Sequence, residues 1–386
     1  MKATPATGRK PAPWRPPTAR REFLAWLGMV LAALACGSCS KRPSPPRPYV
    51  ALVACEGSRT VAVVNLAELR IVRTIPFAHA IVQVAARPRS HEFYALSSAG
   101  ELSAIGFPKL NVLWTKTVSR AASRMKFSNH GSRITVLDPV SGQVTVLHST
   151  DGSMLRTIKV GQGVHHFVLL PGGGRLVATD TATNQVLIFS TGSGKLLARV
   201  GVGQAPESLV MLPSGSKVFV ADSGDDAVSV VDLRSHQLLS NIEIGAAPSL
   251  MALKPDGGEL FVFADATATM SIIDTSADDV EQSLPTAKGT VAALFTPDST
   301  RLYLLSSLDR LVTFLDVNSR SVLAAVPIGA APTSEALTPD GRFLAVADRN
   351  SDALTILRTN SPGLITQIPV GEGPVDVVIP GWLSPR

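Results

Sequence analysis

Lys217-Val-Phe-Val-Ala-Asp222 opens a phrase that continues, past a polar turn, as Ala227-Val-Ser-Val-Val-Asp232. It runs on through Gln237-Leu-Leu-Ser-Asn-Ile-Glu-Ile-Gly245 to Pro248 and ends at Leu250-Met-Ala-Leu-Lys-Pro-Asp-Gly257. Its four short segments are rich in Val, Ile and Leu and partly alternating, the signature of β-strands. The phrase recurs with its first apolar position at Ala51, Phe93, Ile134, Leu176, Val218, Leu260, Leu302 and Phe343, in steps of 41 or 42 residues. So constant a period marks a repeat architecture, and four strands per repeat is the size of a propeller blade. The expected fold is all-β: a single closed β-propeller of four-stranded blades, eight by the repeat count, with seven as the alternative.

The turns agree with this. Pro255-Asp256-Gly257 and Pro339-Asp340-Gly341 place Pro where φ is pre-set and Gly where φ must be positive. Beyond the first 35 residues, no stretch combines helix caps with a sustained 3.6-residue period. The repeats begin at the second strand of a blade, because Pro48 leads directly into Tyr49–Ala54. Pro374-Val-Asp-Val-Val-Ile-Pro380 reads as a first strand with no blade of its own. It is expected to pair with the N-terminal strands and close the ring, removing exposed sheet edges.

The unit resembles the YVTN-type β-propeller repeat, of surface-layer-like and cytochrome cd1-like propellers. The resemblance rests on Val228-Ser229-Val230-Val231-Asp232, on Ile242-Glu243-Ile244-Gly245 with Pro248, and on Pro255-Asp256-Gly257. It covers residues 49–384. Blades 4, 5, 7 and 8 match best, while blades 2 and 6 have drifted. Rings of this resemblance serve as lactonases and as the haem-binding half of cytochrome cd1-like nitrite reductases.

Residues 1–35 read as a signal peptide: a basic, Pro-rich stretch, then the apolar run Phe23–Ala35 ending Ala33-Leu34-Ala35. Thirteen apolar residues are too few for a transmembrane helix. Arg20-Arg21-Glu22-Phe23-Leu24 resembles the twin-arginine (Tat) export motif, departing at Ala19 and Ala25; a general secretory leader is the alternative. Cys36 follows the small-residue ending and is the expected lipidation site, although Ala33 and Leu34 depart from the usual box and simple cleavage after Ala35 is the alternative. Residues 36–48, with Pro43, Pro45, Pro46 and Pro48, then form an extended tether. The expected location is the periplasm or outer cell envelope, with membrane attachment only through the N-terminal lipid.

The chain's net charge of +6 is unevenly placed. Residues 1–35 carry +5 and residues 36–48 carry +3, leaving −2 for residues 49–386. The ring therefore has no field that would draw a polyanion, which argues against nucleic-acid binding. Of Cys36, Cys39 and Cys55 only the last lies in the ring, so no disulfide framework holds it. Cys36 and Cys39 form a C-x-x-C with no following His, which leaves covalent haem attachment unsupported.

Chemistry is expected where the last strand of one blade passes to the first of the next, near the central channel. There the sequence gathers Gln83, Arg124, His165, His166, Glu207, Glu335 and Asp376, a ligand-binding rim on this reading, or else an ordinary solvated one. His165 and His166 are adjacent on a strand and point to opposite faces, so they cannot share one ion; one alone could ligate a metal or haem. Asp138, Asp180 and Asp222 recur at the end of the second strand, with Asp265 and Asp348 one position later, a recurrence that argues for turn capping. No Gly-x-Ser-x-Gly elbow and no zinc-spaced Cys/His cluster is present. Gly172-Gly173-Gly174 lies in a turn between strands, without the helix of a phosphate loop. The expectation is a monomeric ring with no catalytic residues, no metal site and no predicted cofactor, binding a protein or small molecule on a ring face. A haem- or metal-dependent propeller enzyme is the alternative.

Overall fold

The computed structural model describes residues 49–381; the leader, Cys36, the tether and Trp382 lie outside the described residues. The described chain forms eight four-stranded antiparallel sheets, the eight blades of a β-propeller. Seven blades are continuous in sequence. Blade 1 takes its inner strand, Pro374–Val378, from the far end of the chain and its other three, Val50–Cys55, Thr60–Asn65 and Arg70–Pro76, from the beginning. The closing register sets Leu52 against Val378, Val53 against Val377 and Ala54 against Asp376.

Blade 5 shows why the segments read as they do. Its second and third strands, Lys217–Asp222 and Ala227–Asp232, are buried almost throughout, whereas the fourth, Gln237–Glu243, is mostly exposed. The middle strands lie between two neighbouring blades, so both of their faces are covered and their residues form continuous apolar runs. The core is thus divided among the contacts between blades: Phe219, Ala221, Val228 and Val230 of blade 5 pack against Leu260, Val262 and Ile273 of blade 6. At about 25 cal/mol per Å² of buried apolar surface, these contacts dominate the stability of the ring.

The last repeat sits one residue later than its apolar pattern suggests. Its second strand is Phe343–Asp348, in which Leu344, not Phe343, matches Val218. Asp348 then pairs with Ala353 just as Asp222 pairs with Ala227, so the two aspartates share one register position. Asp265 does fall one position later, after the strand Glu259–Ala264.

Asp265 accepts the amide of Gly289 in the loop to blade 7, and the other four aspartates divide into two kinds. Asp138 and Asp180 accept from the amides of Ser141 and Ala182 and cap the next turn. Asp222 and Asp348 are fully buried and instead tie the second strand to the third, through Ser229 and Thr355. They also explain the glycine of the repeat. A Cβ on Gly203 or Gly329 would stand 2.8 or 2.6 Å from Asp222 or Asp348, so the incoming loop must lack a side chain there.

Candidate ligand site in the central channel

Each inner strand is hydrogen-bonded to its own blade on one side only, leaving the other edge to the channel. In six blades the ladder skips near the start of this strand, with the shift falling between Ile81 and Gln83, Val164 and His166, Pro206 and Leu209, Thr290 and Ala292, and Pro332 and Ser334, and opposite Ala54/Cys55 in blade 1. Such a bulge re-aims the extra residue. His165 and Glu207 occupy it, and both are exposed. Glu207 turns toward the neighbouring loop, where its Oε1 accepts from Ser223 at 3.1 Å.

The position after the bulge is held in blades 1 to 8 by Asp376, Gln83, Arg124, His166, Ser208, Leu250, Ala292 and Ser334. Here neighbouring blades touch across their inner edges. Ser334 donates to Asp376 Oδ1 at 2.9 Å and accepts the Val377 amide at 3.3 Å. Asp376 Oδ2 accepts the Val84 amide at 3.0 Å, and Gln83 Oε1 accepts the Met125 amide at 2.6 Å. Arg124 Nη2 then meets His166 Nε2 at 3.2 Å. A belt of hydrogen bonds runs from blade 8 through blades 1, 2 and 3 to blade 4, satisfying amides on the free inner edge that would otherwise rely on water.

Four of the seven rim residues therefore share one register position, Gln83, Arg124, His166 and Asp376. Glu335 lies one residue further along, where the other blades carry Val377, Val84, Met125, Phe167, Leu209, Met251 and Ala293. It is paired with Val346 and shares its sheet face, at the blade 7–blade 8 contact that also holds Leu344 and Leu337. The residue as a whole is half-buried, yet both carboxyl oxygens are shut from solvent and lack a hydrogen-bond partner. Burial pushes this carboxyl up to about 8, so it is mainly protonated at neutral pH.

The charged groups of blades 3 and 4 behave differently. Arg124 and Lys126 are exposed to the channel but surrounded by its walls, and this partial desolvation lowers both from their ordinary values, with Arg124 adding to the effect on Lys126. Neither takes part in an ion pair among the described residues. The Lys126 ammonium stands 6.0 Å from the centre of the Phe167 ring. Burial, then Arg124, Lys126 and His165, pull His166 down to about 4, so its imidazole is neutral. A guanidinium can only donate, so Nε2 is the acceptor and the proton sits on Nδ1. Asp376 is pushed by burial up to about 6, against the opposing pull of its bonds from Val84 and Ser334.

Lys126 escaped the reading of the loops because it lies within the strand, two residues past Arg124. The alternation Arg124-Met125-Lys126 places both cations on one side of that strand, and that alternation was the available signal. The described residues contain no group of three His, Cys, Asp or Glu placed to hold a metal ion.

No family model and no curated protein matches the chain. Solved structures do match in fold. A dihydro-heme d1 dehydrogenase, NirN, in complex with DHE shares 15% identity over 85% of this chain and 76% of its own, with a TM-score of 0.72. Apo AztD from Citrobacter koseri shares 12% identity over 89% of this chain and 100% of its own, at 0.68. Hydrazine synthase from Kuenenia stuttgartiensis shares 18% over 66% of this chain and 88% of its own, at 0.55. At these identities the likeness is one of fold.

Proposed function

We propose that the protein is an exported envelope binding module whose central channel receives a small anionic ligand on the wall formed by Arg124, Lys126 and His166. The observation that carries this reading is the pair of cations without a counter-charge. Two positive groups held in a confined channel are costly unless an anion compensates them, and a charge-assisted bond to a guanidinium is among the stronger polar contacts available. His166 adds a free Nδ1–H donor. The leader and Cys36 support export and lipid attachment.

NirN, in complex with DHE, raises the question of a haem. The residues fit it only in part. Arg124 and Lys126 suit the carboxylates of such a group, but the His166 Nε2 lone pair that would face iron already accepts from Arg124 beside a second cation.

The test is isothermal titration of the purified mature protein with sulfate and acetate, together with an absorption spectrum as isolated. Binding is expected for wild type and at least a tenfold loss for Arg124→Ala/Lys126→Ala. Equal binding by wild type and the double variant overturns the reading, and a stoichiometric visible chromophore moves it to the haem alternative.

A further inference from the structure

The wall beside the two cations is not uniform, and its two directions differ in kind. Toward blades 2 and 1 the inner strands present Gln83 and Asp376, both already committed to neighbouring amides. Toward blades 5, 6 and 7 the corresponding positions hold Ser208, Leu250 and Ala292, and the positions two residues on hold Val210, Ala252 and Leu294. Val168 of blade 4 joins the two stretches. Leu250, Leu294, Val210 and Val168 each pack in part against the core of the next blade contact and keep the rest of their surface exposed on the strands that line the channel. An apolar arc thus begins where the cationic pair ends.

The far side of the ring adds a constraint. Across from blades 3 and 4 stand blades 7 and 8, the latter carrying Glu335, and Asp376 of blade 1 lies beyond it. The inner strands Thr290–Phe295, Pro332–Leu337 and Pro374–Val378 carry no Lys or Arg, so a second anionic group on the ligand would find no cationic partner on them.

Resting on the reading of this wall as an anion site, we infer that the ligand is an amphipathic organic monoanion. Its carboxylate-like head lies on Arg124 and Lys126, and its apolar body lies along Val168, Val210, Leu250 and Leu294. The planar fork of Arg124 matches a carboxylate, and Lys126 adds a second charge on the same side of the strand. Burial of the body contributes about 0.8 kcal/mol per fully covered CH₂, so affinity should climb with chain length.

The experiment is titration of the full mature chain with acetate, butyrate, hexanoate, octanoate and octanol. Affinity is expected to rise at least tenfold from acetate to octanoate, and octanol is expected to bind at least tenfold more weakly than octanoate. Leu250→Asn/Leu294→Asn should remove the chain-length dependence while leaving acetate binding in place. The length series on unmutated protein decides the matter even where that variant fails to fold. If acetate and octanoate bind alike, and both depend on Arg124 and Lys126, the apolar body is wrong and the anion site stands. If octanol matches octanoate, or binding ignores Arg124→Ala/Lys126→Ala, the anion site itself fails.

Discussion

The two arcs of the inner ring are built from the same repeat and yet are held differently. From blade 8 to blade 4 the position after the bulge is Ser334, Asp376, Gln83, Arg124 and His166, and each side chain bonds to the next blade or is bonded by the one before. From blade 5 to blade 7 the same position is Ser208, Leu250 and Ala292; Ser208 Oγ is buried without a partner and the other two cannot hydrogen-bond. The bonded arc contains the seam. In blade 1 the inner strand is not followed in the chain by the strand it pairs with, so no turn holds the two together. Ser334 and Asp376 fasten that strand to the blades on either side, and Arg349 Nη2 meets Glu56 Oε2 at 2.6 Å across the same junction. In blades 5 to 7, each continuous in sequence, the same position is held by packing alone.

The most severe challenge to this contrast is to delete residues 374–386. The six buried residues Val50–Cys55 would become an open apolar edge, and loss of the cooperative urea transition with aggregation on size-exclusion chromatography is expected. A chain that stayed monomeric and cooperative would show that the seam is dispensable.

Glu335→Leu should come next in size and act in the opposite direction. Burial raises the folded carboxyl to about 8 from its ordinary value of about 4.5, so the fold holds the proton more tightly than the unfolded chain. Its cost to stability is absent below about pH 4.5, grows as pH rises, and is complete above about pH 8. Urea melts of Glu335→Leu should therefore show a gain of about 3 kcal/mol at pH 7 that vanishes near pH 4. A gain independent of pH would mean that packing, not ionisation, is at issue.

Asp376→Ala removes two acceptors at the seam and leaves the Val84 amide without its partner, a loss of about 2 kcal/mol by chemical denaturation. Ser208→Ala, in the apolar arc, should change stability by less than about 0.5 kcal/mol, because Ser208 Oγ makes no bond to lose. Equal effects would erase the distinction between the arcs.

The smallest effect expected is from Ala292→Ser. It would let blade 7 bond to the Glu335 amide as Ser334 bonds to the Val377 amide, with a gain of about 0.5 kcal/mol in the same assay. No gain would indicate that the two inner edges are spaced differently in that arc.

Much of the ring was legible because its cause is local and repeated. The period, the Pro-Asp-Gly turns and the unmatched first strand at 374–380 together implied eight blades and a closure by the C-terminal strand, and the sheet order shows both. The boundary of the last repeat was misplaced by one residue, because Phe343 and Leu344 are both apolar and only pairing distinguishes them. The candidate site was less readable. Loop alignment collected residues from three register positions: His165 and Glu207 in the bulge, Gln83, Arg124, His166 and Asp376 after it, and Glu335 one further on. A bulge shifts side-chain direction without leaving a mark in the period.

The amino-acid sequence thus favoured eight blades over seven and located the seam and most of the polar residues on the inner strands, because apolar periodicity and turn chemistry act within about 42 residues. Which of those polar groups meet was decided only when the ring closed. Arg124 and His166 are 42 residues apart, and Asp376 and Val84 are 292 apart. Contacts between blades depend on how inner edges converge on one axis, and no single repeat contains that geometry. The same convergence left Arg124 and Lys126 without an acid, and shut the Glu335 carboxyl away from water.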